Sequence, residues 1–165
     1  MTLYAADKLI AQARVLAAEY RRTMGKPLPG ISNEIAEYDA IKLLQLEPKP
    51  TGEGGYDAVD SKRGDKLIQI KSRTIFDESK SGQRIGQLKL DKDWDSVVLV
   101  LMDEDYEPYE IYEAERDDII EYVGKSSSNR AKRGAMSVAR FKIIGRLAWT
   151  RENGLEPEVW DNQAD

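Results

Sequence analysis

The chain contains no cysteine and no histidine. Disulfides, Cys/His zinc sites, thiol nucleophiles, imidazole bases and Ser-His triads are therefore excluded. Catalysis, if any, must come from carboxylates, amides, lysine, tyrosine or serine, helped by a hard, oxygen-loving ion such as Mg2+. Long apolar runs are missing as well: none approaches the roughly 18–20 residues needed to cross a bilayer, and the start of the chain lacks the basic, apolar, small-residue order of a signal peptide. The expectation is a soluble, cytoplasmic protein with no membrane partner and no small-molecule cofactor.

What is present is ordinary globular composition. With 165 residues, 41% hydrophobic and 33% charged, the chain suits one domain with a real core. The net charge of −5 argues weakly against a nucleic-acid partner, but the charges are unevenly spread. Asp91 to Glu121 holds thirteen acidic and two basic residues, a net of −11, whereas Val123 to Thr150 holds seven basic residues and no acid, a net of +7. The acidic block reads as a solvated surface. The basic block is the kind of patch that binds phosphates by releasing counterions.

Apolar spacing predicts an amphipathic helix from Thr2 to Met24 and, after the break at "GKPLPG", a second helix capped by Ser32 or Asn33 and running to about Leu46. "EPKPTGEGG" reads as a loop. "YDAVD" and "KLIQIK" read as strands joined by the polar turn "SKRG", and "SVVLVLM", Ser96 to Met102, as a buried central strand. A helix is expected between them, over Gly82 to Asp93. "PYEIYEA" follows as a strand, "ERDDIIEYV" as a short helix, "KSSSNRAKRG" as a loop and "MSVARFKIIGRLAW" as a helix or a helix-strand unit. The acidic tail, 152–165, is expected to be partly disordered, with Trp160 as a docking residue. The order implies an α/β fold, a small sheet with helices on its faces.

The opening hairpin carries the chemistry. On a strand, residues two apart share a face, so Gln69 and Lys71 project together while Ile68 and Ile70 point the other way. If "YDAVD" pairs antiparallel through the turn, Asp57 lies near them, since all three are far from that turn. Phosphodiester hydrolysis without histidine needs an ion to polarise the phosphoryl oxygen and supply hydroxide, and a cation near the attacking water. Asp57 and the Gln69 amide oxygen suit the ion, the Ile70 backbone carbonyl can add a ligand, and Lys71 suits the cation. A second carboxylate is expected from the preceding helix. Glu37 is preferred because it shares the apolar stripe with Ala40, Ile41 and Leu44, where a carboxylate needs a partner or an ion. Glu34, toward the flank, is the alternative.

"AEYDAIKLL", "GGYDAV" and "LIQIKSR", followed by a helix and an apolar strand, resemble the core of the PD-(D/E)xK nuclease superfamily, in the branch of Mrr-type restriction enzymes and archaeal Holliday-junction resolvases. The match covers roughly residues 33–102. The resemblance implies a restriction-endonuclease-like core with a mixed central sheet, to which the chain adds an N-terminal helix and a basic C-terminal extension within one domain spanning 1–151. It also implies that Glu37 and Asp57 bind Mg2+, with Mn2+ as a substitute, while Gln69-Ile70-Lys71 supplies a ligand and the catalytic lysine. Two departures stand out. Tyr56 takes the place of the proline before the aspartate, and Gln69 replaces the acid of the triplet. An amide is a neutral, weaker ligand, which lowers metal affinity and favours one ion over two.

The resulting expectation is a metal-dependent DNA endonuclease in which Arg73, Arg84, Arg130, Lys132, Arg133, Arg140 and Lys142 hold the DNA backbone. Lys80, Gln83 and Lys89 flank the site. Besides DNA, a homodimer is the other partner considered. Two other readings compete: an inactive nucleic-acid-binding or assembly module on a nuclease-like scaffold, and an acidic interaction protein whose basic block contacts its own acidic block.

Overall fold

A computed structural model describes residues 3–50, 54–77, 82–125 and 135–156. Over the described residues the chain is a mixed α/β protein with four helices and a seven-stranded mixed sheet whose strands lie side by side in chain order. Helix α1 spans Leu3–Met24 and α2 Ile31–Leu43; β1 is Glu47–Pro48, β2 Ala58–Asp60, β3 Lys66–Thr74, β4 Ser96–Met102 and β5 Pro108–Glu115. Helix α3 is Arg116–Lys125 and α4 Val138–Ile144, followed by β6 Arg146–Thr150 and β7 Gly154–Leu155. Neighbouring strands are antiparallel except β3 and β4, which run parallel. Among the described residues no helix is long and apolar enough to cross a membrane.

Strand β4 explains its own composition. All seven of its residues are buried. Val98, Val100 and Met102 join Ala17, Ile35, Ala36, Ala40 and Ile68 in a core beneath α1 and α2. Val97, Leu99 and Leu101 join Ile85, Leu88, Trp94, Ile119, Met136 and Phe141 in a second core on the opposite face. A strand covered on both sides needs apolar residues at every position rather than at alternate ones.

Four expectations are corrected by the structure. The sheet has seven strands, because Glu47–Pro48 in the expected loop and Gly154–Leu155 in the expected tail both add short edge pairs. Pro48 fits there because an edge strand tolerates a residue with no N–H. The second helix starts at Ile31, not after Ser32 or Asn33, and its cap is Gly30 in the left-handed region, φ 84°, without a side-chain cap. That helix stops at Leu43, and Gln45 turns left-handed, φ 57°, before Leu46 is reached.

The largest correction is the segment Gly82 to Asp93, which is not helical. It carries two glycines, each costing a helix about 1 kcal/mol, and its backbone groups find partners elsewhere. Ile85 N–H donates to the Met136 carbonyl at 3.0 Å, and Arg84 bridges to Ser137. The Arg116 guanidinium donates to the carbonyls of Leu90 (2.8 Å), Lys92 (2.8 Å) and Trp94 (3.1 Å), and the Trp94 indole donates to the Lys89 carbonyl at 2.7 Å. Tertiary contacts thus hold an extended crossover between the two parallel strands. Trp160 and the other residues after 156 lie outside the described residues.

Candidate active site

The turn Ser61–Arg63 joins β2 to β3 as an antiparallel pair, with Ala58 opposite Ile68 and Asp60 opposite Lys66. Strand β2 covers only that first part of β3, so from Ile70 onward this edge of β3 has no partner strand. Asp57 caps the edge where pairing stops. Its N–H donates to the Ile68 carbonyl at 2.8 Å, and its Oδ2 accepts the Ile70 N–H at 2.8 Å. The carboxylate therefore stands in for a strand carbonyl, and the Ile70 carbonyl opens on the same side as its N–H.

Gln69 is only 2% exposed. Its Nε2 donates to the Gly55 carbonyl at 2.9 Å, which leaves Oε1 buried without a hydrogen-bond partner among the described residues. An orphaned buried carbonyl oxygen costs about 1–3 kcal/mol unless a donor or cation meets it. Lys71 sits two residues on, half-buried, on the face of the second core. The crossover passes over it closely enough that a Cβ added at Gly86 would lie 3.8 Å from its Nζ. Burial, helped by nearby Lys89, lowers the Lys71 pKa against the opposing pull of the Asp57 charge.

Helix α2 lies on the other face and brings Glu37 to the open edge. Ser72 Oγ donates to Asn33 Oδ1 at 3.0 Å, tying the first turn of α2 to β3. The buried stripe of α2 runs through Ile35, Ala36, Asp39 and Ala40, with Glu37 half-buried at its border and Glu34 exposed. Burial raises the Glu37 pKa, and the charges of Asp57 and Glu34 raise it further, with Lys49 opposing. A cation placed among these carboxylates would relieve that repulsion.

By chemical type, the candidate donors suit a hard divalent ion. Two carboxylates, an unpartnered amide oxygen and a carbonyl offer oxygen ligands only, as Mg2+ prefers. Among the described residues no group of three or more His, Cys, Asp or Glu side chains is arranged to hold a metal, so an ion here would lean on neutral oxygens and water.

The sequence matches no protein-family model and no curated protein.

The basic candidates are differently placed. Arg73 is exposed on β3 beyond Lys71. Arg84 donates to the Ala135 carbonyl at 3.3 Å. Arg140 is exposed, with its guanidinium 5.5 Å from the centre of the Tyr122 ring. Lys142 pairs with Glu110 at 3.6 Å and lies 5.5 Å from the Tyr112 ring centre, so it would exchange a carboxylate for a phosphate. Arg130, Lys132 and Arg133, like Lys80, lie outside the described residues.

Sequence reasoning missed a buried ionic network close to the turn. Glu113, 3% exposed on β5, accepts two hydrogen bonds from Arg63 (2.9 and 3.0 Å), one from Ser96 Oγ (2.6 Å) and one from Arg146 (3.1 Å). Arg63 also donates to Asp60 at 2.7 Å. Burial alone would raise the Glu113 pKa, but Arg63, Ser96 and Lys66 together hold it below the ordinary glutamate range. The available signal was an acid in the inward phase of an apolar strand, which demands a cation. A cavity of about 670 Å3 lies away from the candidate site, between α1, α2 and the ends of β5 and β6, lined by Arg14, Tyr38, Asp39, Trp149 and Arg151. Its central charge is already spoken for, since Arg14 donates to Asp39 at 2.8 and 2.9 Å.

Proposed function

We propose that the chain is a divalent-metal-dependent endonuclease hydrolysing phosphodiester bonds in DNA, built on a restriction-endonuclease-like core. The observation that carries this reading is the buried, unpartnered Gln69 Oε1 on the same strand face as a desolvated lysine, with Asp57 coupled to both Lys71 and Glu37. Glu37, Asp57, Gln69 and the Ile70 carbonyl would hold Mg2+ or Mn2+. When bound, the ion polarises the phosphoryl oxygen and lowers the pKa of water.

The chain's own residues do the rest. Asp57 keeps its position because the Ile70 N–H fixes Oδ2. Lys71 presents its ammonium toward the attacking water and the developing negative charge, and its lowered pKa eases proton exchange with that water. Arg73, exposed further along the same strand, is placed to meet a neighbouring phosphate. The extended crossover covers the lysine and shields it from bulk solvent.

The test is cleavage of supercoiled plasmid, linear duplex, branched junction, single strand and RNA, with Mg2+, Mn2+ or EDTA. Metal-dependent cutting of DNA is expected; no cutting with either metal would overturn the reading. The inactive-scaffold reading has one observation in its favour, the Gln69 amide already tied to Gly55. It predicts salt-sensitive binding without turnover. The third reading draws on Arg146 and Lys142 of the basic block, which pair with Glu113 and Glu110 of the acidic block. It predicts no salt-sensitive affinity for DNA.

A substitution separates the first two. Gln69→Glu adds a buried charge and loses the donor to Gly55, so the metal-free variant should be less stable than the native chain by about 2 kcal/mol. With the ion present the added carboxylate becomes a ligand. The variant's melting temperature should therefore rise much more on adding Mg2+ or Mn2+ than the native chain's. Equal metal responses in scanning calorimetry would place the ion elsewhere.

A further inference from the structure

Helix α1 buries one side and leaves the other bare. Ala17 and Ala18 pack into the first core, while Leu9, Val15 and Leu16 stay 50%, 59% and 55% exposed. Between them runs a shallow groove along Lys8, Ala11, Gln12, Val15, Leu16 and Glu19. Lys8, Gln12, Val15 and Glu19 are spaced four, three and four apart, so they share one face of the helix.

The stripe is symmetric about its own midpoint. Lys8 and Glu19 are centred between Ala13 and Arg14, and so are Gln12 and Val15, and Ala11 and Leu16. Leu9 and Leu16, on one flank, are centred one residue earlier. No ion-pair partner for Lys8 or Glu19 is found among the described residues, although most charges near α1, such as Asp7, Arg14 and Arg22, have one.

We propose that this stripe docks a second copy of the same chain, α1 against α1 in an antiparallel, two-fold arrangement. Such an interface is isologous: each contact occurs twice, so a residue must complement whatever mirrors it across the midpoint. Here Lys8 faces Glu19 of the second copy and Glu19 faces its Lys8. Val15 covers Gln12, the small Ala11 lets the helices approach, and Leu9 meets Leu16 on the flank. A parallel pairing would set Lys8 against Lys8 and Glu19 against Glu19. None of these residues belongs to the Glu37, Asp57, Gln69 and Lys71 cluster, so the inference is independent of the proposed nuclease activity.

A single helical stripe buries less than the roughly 1,200 Å2 of a standard interface. The dimer is accordingly weak, and sedimentation equilibrium from about 10 µM to 1 mM is the suitable measurement. Lys8→Glu and Glu19→Lys should each raise the dissociation constant about tenfold, because both pairs turn from attractive to repulsive. Mixing the two variants should give a heterodimer as tight as the native dimer, since one copy then carries two acids and the other two lysines. The Lys8→Glu, Glu19→Lys double variant should also dimerise again. All four forms should have the native circular dichroism spectrum, as the sites are exposed. A native chain that stays monomeric across that range, or a dimer indifferent to the reversals or not rescued by mixing, overturns the proposal.

Discussion

Replacing Lys71 with alanine should lower metal-dependent DNA cleavage by about two to four orders of magnitude, the contribution of a positioned proton-transfer group, while DNA affinity changes little. The prediction has a second, opposite-signed part. The Lys71 pKa is lowered chiefly because burial disfavours the ammonium. A lysine whose folded pKa is depressed binds its proton less well in the folded state, so stability rises with pH through the window between the folded and unfolded values, and at neutral pH the charge opposes folding. Lys71→Met, which keeps the stem and removes the charge, should therefore be inactive and at least as stable as the native chain. Because the mechanism uses the ammonium, cleavage should fall as pH rises through that lowered pKa. Lys71→Arg should keep the charge and much of the DNA binding, but a guanidinium does not release its proton, so cleavage should stay low. Full cleavage by the alanine or arginine variant would remove Lys71 from the mechanism. A destabilised methionine variant would instead overturn the account of its burial.

Glu113→Ala should be the most damaging single change to stability, about 3 kcal/mol or roughly 6–12 °C in melting temperature. The loss comes less from the ion pair than from what it leaves behind. Arg63 and Arg146 would stay partly buried beside an empty site, and Ser96 Oγ would lose its acceptor at 2.6 Å. These partners belong to the β2–β3 turn, β4 and β6, so one carboxylate ties four parts of the sheet together. Because the Glu113 pKa is depressed in the fold, its contribution is complete above the ordinary glutamate range and is lost as pH falls from there through the folded value. Urea unfolding should show the native chain weakening through that acid range while Glu113→Ala weakens less. Parallel pH profiles for the two would mean that Glu113 is not the group titrating.

What could be read from the sequence depended on whether a local pattern met no competitor. The uninterrupted "SVVLVLM" demanded burial on both faces, and β4 has it. The "SKRG" turn and the alternation around Gln69 and Lys71 set the β2–β3 pairing, since a one-residue slip would turn both residues to the other face. The segment from Gly82 to Asp93 was misread because its apolar residues suit a helix as well as a crossover, and the deciding partner, Arg116, lies more than twenty residues away. The end of α2 was misplaced for a smaller reason: nothing local marks Gln45 as the residue that turns left-handed. Lys142 looked like a free phosphate-binding charge because its pairing with Glu110 is a matter of sheet order, which composition does not carry.

The order of the strands also bears on how the chain reaches its fold. Because β2–β3, β4–β5 and β6–β7 are each joined by only a few residues, these hairpins form with little loss of chain entropy. Two seams need a long-range closure, β5–β6 and β3–β4, and closing the β3–β4 seam is the step that lays the crossover over Lys71. Native-state hydrogen exchange should accordingly find the seam and the crossover opening together at lower free energy than the hairpins on either side. The buried lysine would then be the last part of the site assembled during folding and the first to meet water when the domain breathes.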